Sequence, residues 1–331
     1  MENFKNKFKS ALNNIFLGKS EAPLLLLVYI IILVIFFSLN NDYLRLNNIK
    51  NILGNLSIPA ILSVGLTPVI LSGNIDISIG STYALSGIVV GLLYRVADIP
   101  VPVAILAGLL IGLIVGAING LLVIKIGVNS IIATLGMMSM IRGVIYVIGR
   151  RVMKIYYQPF LNLARIYIFE HIQIILIYFL VFFFIMYFIL KLTKFGKHLY
   201  AIGADEKIAS FFGINIRRNK FITFLISGGA AAIGGVLSVS VIGDVTVSFG
   251  SGTLLFEVIT ACILGGISVA GGRGSLIGVF VAIFILGSIR SGLVLADVPI
   301  NLRELIFGMI LILALVMDSF RVRKRGLSEE L

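Results

Sequence analysis

The residues best placed to do chemistry inside this chain sit in one string, LSGNIDISIGSTYALSG, at residues 71–87. Gly73 and Asn74 interrupt one apolar run, Asp76 and Ser78 precede the next, and Gly80, Ser81 and Ser86 give that next segment a small-residue face. An Asp just ahead of a helix can cap it, accepting bonds from amides that the first turn leaves without partners. At membrane depth an ionisable group is costly and is a candidate for function by default. Two compatible readings stay open. Asp76 caps a helix, or the string is a discontinuous helix lining a polar pathway, because non-helical backbone in a bilayer needs protein or water around it. On the second reading Asn74, Asp76, Ser78, Asn119 and Thr134 are candidate pathway residues. Asn119 and Thr134 read first as hydrogen-bond partners between helices and second as pathway residues.

Other chemistries find little support. Gly18–Ser20 reads GKS, but the P-loop pattern needs a glycine five positions before Gly18, where Asn13 stands. The chain therefore carries no Walker motif, and no cofactor is expected on it. His171 and His198 fall in separate loops without a cysteine nearby, which argues against a metal site. No hydrolase, zincin or dinucleotide-binding pattern occurs, so an enzyme is not expected. Glu257, in LLFEVITACILGG, must be paired, protonated or near a helix end; Arg290 and Arg142 are both possible partners.

The elements that carry these residues follow from composition. The 331 residues are 59% hydrophobic and 13% charged, with mean hydropathy +1.10, against roughly a quarter charged for soluble domains. The expected fold is all-α: a polytopic transmembrane bundle of about ten spans with broken or re-entrant helices. Apolar runs fall near 23–39, 52–72, 76–94, 101–124, 128–148, 172–190, 221–242, 253–270, 275–295 and 301–318. Thirty-five glycines suggest close helix packing and helix breaks. A second glycine-rich break, LGGISVAGGRGSLIG at 264–278, shares with the first the order glycine, Ile, polar residue, small-rich helix. That similarity raises the possibility of an internal repeat.

Sidedness comes from charge. The net charge is +12, and most Lys and Arg fall on the tails and loops assigned to the cytosol, which explains the charge without a nucleic-acid partner. Residues 1–22 and 319–331 form basic tails around a membrane-spanning body at 23–318, and an even span count puts both tails on one side. The segment 191–220 carries seven Lys and Arg against Asp205 and Glu206. It is expected to face the cytosol and to offer AIGADEKIASFFGI, a compact helix between glycines, to a cytosolic partner. One segment fits poorly: 149–171, external by this count, holds Arg150, Arg151, Lys154 and Arg165 against Glu170 alone.

Four strings, GNIDISIGSTYALSG, INGLLVIKIGVNSIIATLGMMSMIRGV, FGKHLYAIGADEKIASFFGINIRRNK and LGGISVAGGRGSLIG, occur in this order over residues 73–278. Together they resemble the permease subunits of bacterial monosaccharide ATP-binding cassette (ABC) importers, the ribose-type permeases, more distantly related to branched-chain amino acid permeases. The resemblance implies residence in the bacterial cytoplasmic membrane. It also implies a second permease copy or sister permease, a cytosolic ATPase with two nucleotide-binding modules holding ATP and Mg, and an external sugar-binding protein. It matches the family's ATPase-coupling segment to Tyr200, Ala201, Ile202, Gly203, Ala204, Asp205 and Glu206, and to Ala209 through Gly213 and Ile214. Alanine and glycine on one side of that helix suit a seat in an ATPase groove. The family's pathway string matches Gly73 to Gly80, with Asn74 and Ile79 where many members show Gly and Val.

The function expected is a non-enzymatic permease importing ribose or a related pentose or hexose. A neutral solute fits the scarcity of charge inside the spans. The same architecture carrying autoinducer-2, rhamnose, a nucleoside or an amino acid is the alternative cargo. An ion-coupled secondary transporter is the alternative class.

Overall fold

In hydrocarbon a backbone N–H or C=O has no water to bond, so apolar runs of this length close their hydrogen bonds within helices. The computed structural model describes residues 22–95, 97–149, 153–168, 172–250 and 254–329. The basic N-terminal tail with its GKS string, and Arg150, Arg151, Glu170 and His171, lie outside the described residues.

The order begins with α1 (Ala22–Leu39), a 3₁₀ turn (Asn41–Leu44), α2 (Leu46–Leu71), α3 (Ile79–Arg95) and α4 (Val101–Leu121), which runs on through a π turn (Leu122–Ile126). Then follow α5 (Ser130–Ile148), β1 (Met153–Lys154), α6 (Gln158–Arg165), β2 (Tyr167–Ile168), β3 (Ile172–Gln173) and α7 (Ile174–Leu192). The remainder is α8 (Lys194–Ala204), α9 (Glu206–Phe211), α10 (Ile216–Ile242), β4 (Asp244–Val245), α11 (Leu254–Leu264), α12 (Leu276–Leu295) and α13 (Ile300–Glu329).

Among the described residues, seven helices are long and apolar enough to cross a membrane: α2, α4 with its π turn, α5, α7, α10, α12 and the first 21 residues of α13. Three of the ten expected runs come out short. Pro23–Leu39 and Leu254–Leu264 are apolar but brief, and α3 has 17 residues. The runs expected at 76–94 and 253–270 are trimmed for one reason: each adjoins a glycine break that stays non-helical. The paired two-residue strands β1–β4 and β2–β3 hold the two ends of the 153–168 stretch, with Met153 opposite Val245 and Tyr167 opposite Gln173.

The molecule has two distinct ends. At one, α8 and α9 lie beside the last turn of α2 and the start of α10. At the other, α6 and the strands meet the last turn of α10, where Ser240 Oγ donates to the Phe160 carbonyl at 2.6 Å. There also Tyr43 donates to the Ser288 carbonyl of α12 at 2.9 Å. Lys191, Lys194, Lys197, Lys207, Arg217, Arg218, Lys220 and Arg273 cluster at the α8 end. The far end mixes Arg45, Arg95, Lys154, Arg165 and Arg303 with Asp42, Asp98, Asp244, Asp297 and Glu304.

α4 and α10 form a close-packed antiparallel pair at the centre. Glycines repeat every fourth residue along α4, at Gly108, Gly112, Gly116 and Gly120, which places them on one face. A side chain at Gly112 would strike the Gly228 carbonyl and Ala232; one at Gly116 would strike the Phe224 carbonyl. Small residues at this spacing let helix backbones touch, and in lipid that contact is the main source of helix association.

This packing predicts opposite fates for two glycines. Gly112→Val should cost roughly 1–3 kcal/mol, the usual price of overpacking. Gly136→Ala, where no atom lies within 4 Å, should be neutral or slightly stabilising. Thermal unfolding of the two purified variants in detergent checks both.

Candidate functional site

The break between α2 and α3 is held by side chains from three other helices. α3 begins behind Ser78, whose carbonyl accepts from the Thr82 amide at 2.8 Å. Asp76 sits two residues earlier than a cap would, and takes the Ser78 amide and hydroxyl on one oxygen at 3.0 and 2.7 Å. Its other oxygen accepts from Ser227 of α10 at 2.7 Å. Asn119 of α4 donates to the Ser78 hydroxyl at 2.8 Å. From α5, Thr134 accepts from the Ile77 amide at 3.0 Å and Ser130 from the Ile75 amide at 3.2 Å. Asn74 turns back onto Ser72.

Ser227 lies 11 residues into the 27-residue α10, about 17 Å along a helix of about 40 Å, so Asp76 is near mid-depth. Asn74, Asp76, Ser78, Asn119 and Thr134 are thus brought together, as the sequence suggested, but as a closed node. All five are under 8% exposed, and none lines the cavity at the far end. The node is not fully satisfied: Asn119 Oδ1, buried, meets no donor among the described residues. A buried acceptor without a donor costs about 1–3 kcal/mol, which marks the node as poised rather than optimised for stability. Gly80 faces Leu255 of α11 at ordinary contact distance.

The second break, 265–275, folds onto the first. The Gly272 amide donates to the Leu71 carbonyl at 2.9 Å, and a side chain at Gly271 would come within 2.8 Å of the Gly73 Cα. Gly73, Gly271 and Gly272 have positive φ, which side-chain-bearing residues rarely adopt. Gly203 of α8 closes the junction. A Cβ there would strike the Leu71 carbonyl and the Gly272 backbone. Tyr200 adds a bond to the Gly274 carbonyl at 3.0 Å, and burial raises its phenol pKa.

The compact helix expected between glycines is in fact two. Asp205 is extended and caps α9 through the Ile208 amide at 2.9 Å, which splits α8 from α9. The small face of α8, with Gly203 and buried Ile202, turns inward to the two breaks rather than out to a partner. Ala209 is buried as well, while Ala204, Asp205, Glu206 and Gly213 are exposed and Glu206 pairs with Lys220 at 2.7 Å. What projects outward is Phe211 at 90% exposed and Phe212 at 82%. Both lie inside the Ala209–Ile214 stretch that the resemblance matches to the coupling segment, although residue type alone does not single them out as the outward-facing pair.

At the far end lies a cavity of about 570 Å³, reached by Asn55, Tyr83, Ser238, Glu257, Arg290 and Arg303 among others. Of the two possible partners for Glu257, Arg290 of α12 holds it, at 2.9 Å. Arg142 instead donates to the Phe249 and Gly250 carbonyls.

Comparison with known proteins places this geometry. The family described as "Branched-chain amino acid transport system / permease component" matches residues 48–315. The chain is 33% identical to the ribose import permease protein RbsC of Haemophilus influenzae, over 64% of this chain and 66% of that protein, just under two thirds of its length. It is 31% identical to the ribose import permease protein RbsC of Escherichia coli K12, over 69% and 72%. It is 32% identical to the autoinducer 2 import system permease protein LsrC of Salmonella typhi, over 92% and 87%. No solved structure matches.

The node makes a direct prediction. Thr134→Val strands the Ile77 amide and should destabilise the protein by about 1–3 kcal/mol, whereas Thr134→Ser keeps the acceptor and most of the stability. Thermal melts in detergent of both variants distinguish them.

Proposed function

Because the chain belongs to the family of branched-chain amino acid transport system permease components, we propose that it is the membrane permease subunit of an ABC importer carrying a monosaccharide inward. The observation that carries this reading is the position of α8. Its inner face is backbone against backbone with both helix breaks at Gly203, and its continuation in α9 presents Phe211 and Phe212 to the outside. A partner gripping the two aromatics could move α8, and the breaks would have to follow.

On this reading the partner is a cytosolic ATPase with two nucleotide-binding modules, and ATP and Mg are bound there. An external sugar-binding protein delivers the cargo, and a second copy or sister permease completes the pathway. The segment from Tyr200 to Ile214 is the coupling element. Gly73, Asn74, Asp76, Ser78, Gly80, Asn119 and Thr134 form a gate that is shut in this conformation and opens when the breaks shift. The basic α8 end faces the cytosol of a bacterial cell, following the positive-inside bias, with both tails on that side. α1, α3 and α11 complete a ten-element bundle, and the mutual packing of the two breaks supports an internal repeat.

The ribose import relatives support a pentose or hexose as cargo. Autoinducer 2 is the second reading, supported by the broad coverage of the Salmonella relative. A pentose or hexose is neutral and rich in hydroxyls, which suits a node built from hydroxyls and amides.

Reconstituting the permease with its ATPase and binding protein in proteoliposomes tests the proposal. Uptake of labelled D-ribose should require ATP. Phe211→Ala and Phe212→Ala together should leave the permease folded while weakening its hold on the ATPase at least tenfold and abolishing uptake. Uptake driven by an ion gradient without ATP would overturn the reading in favour of a secondary transporter.

A further inference from the structure

Resting on that function, the far-end cavity carries a more specific inference. Its lining comes from the ends of α2, α10, α12 and α13 that lie opposite α8, together with Tyr83 and Glu257. At about 570 Å³ it falls within the ~300–1,000 Å³ usual for small-molecule sites. Its charged residues balance: Glu257 and Glu304 against Arg290 and Arg303.

The Glu257–Arg290 pair forms the floor of this cavity. It also lines a much smaller void of about 20 Å³ beside Ala261, Ile283 and Gly287. Those residues lie nearer the α8 ends of α11 and α12 than the pair does, so the pair separates the open cavity from the space beneath. Glu257 is 6% exposed at its side chain, whereas Arg290 is 47% exposed. Apolar residues of similar shape would commonly serve the fold as well as such a pair, because desolvation offsets much of the attraction.

We propose that the Glu257–Arg290 pair is a binding site for the incoming solute, reading two neighbouring hydroxyls of a neutral polyol at the floor of the far-end cavity. A carboxylate accepts and a guanidinium donates, and each hydroxyl of a diol can do both, so the pair and the diol satisfy one another by charge-assisted bonds. An anion would meet Glu257 and Glu304 and a cation would meet Arg290 and Arg303, so the balanced lining selects neutral cargo. As the diol engages, the pair's own bond loosens and the floor opens toward the void.

Labelling tests this in the reconstituted complex. Asn55→Cys puts a thiol in the cavity, and the chain's single native cysteine, Cys262, is fully buried. A membrane-impermeant maleimide is applied with and without D-ribose, L-rhamnose or D-galactose, and ATP-driven uptake of each sugar is measured in parallel. The transported sugar should slow labelling at least threefold. Glu257→Gln and Arg290→Gln should abolish that protection and raise the uptake KM at least tenfold, and Arg290→Lys should fall between. The double variant Glu257→Leu with Arg290→Met removes both members of the pair together; it should fold and also lose protection. ATP-driven uptake with no protection, or with an unchanged KM in the folded variants, overturns the site and leaves the permease reading standing. Absence of ATP-driven uptake for all three sugars overturns the monosaccharide reading and this inference with it.

Discussion

A helix broken inside a bilayer must hand its freed backbone groups to other parts of the protein, since lipid offers no partner. Much of this structure answers that demand. The amides of Ile75, Ile77 and Ser78 go to Ser130, Thr134 and Asp76. The Leu71 carbonyl goes to Gly272, so the second break helps to satisfy the first. Two breaks that complete each other cannot move far apart without stranding polar groups, and that makes them one mechanical unit. Gly203 adds α8 to the unit by removing the single carbon that would hold its backbone off.

The rest of the bundle serves to keep this unit in place while allowing it to move. The glycine ladder of α4 against α10 holds Asn119 and Ser227 at the distance needed to reach Ser78 and Asp76. Small-residue contacts of this kind depend on fit and are therefore sensitive to displacement. The buried Asn119 Oδ1 without a donor is a local cost that a different arrangement could relieve. On the proposed function, the closed polar node at mid-depth and the open cavity at the far end, floored by Glu257 and Arg290, correspond to a pathway open on one side only.

Much of this was legible from residue types. Apolar run length located the long helices, because hydrocarbon leaves backbone few options. Glycine next to Asn74 and Asp76 located the first break, and the glycines from Gly265 to Gly274 located the second. Asp76, Ser78, Asn119 and Thr134 meet in one node, because polar side chains inside spans must find one another. The partner of Glu257 was left open between Arg142 and Arg290, since choosing needs the relative rotation of α5, α11 and α12. The inward turn of Gly203 was also hidden: a small residue permits contact on its face without naming the neighbour. Asp205 is of a type that caps helices, and the division into two helices follows from extended backbone at that one residue. The exposure of Phe211 and Phe212 could not be read, because aromatics usually pack inward.

The central claim is that α8 and the two breaks move as one body. Its most direct measurement joins them covalently: cysteines at Ala204 and Arg273 are bridged with a short bis-maleimide in the reconstituted complex, where Gly272 already lies against Ala204. If the joint is rigid, the bridged permease keeps ATP-driven uptake close to that of the unbridged variant. If bridging stops uptake while the ATPase stays bound, α8 must separate from the breaks during transport, and the account is contradicted.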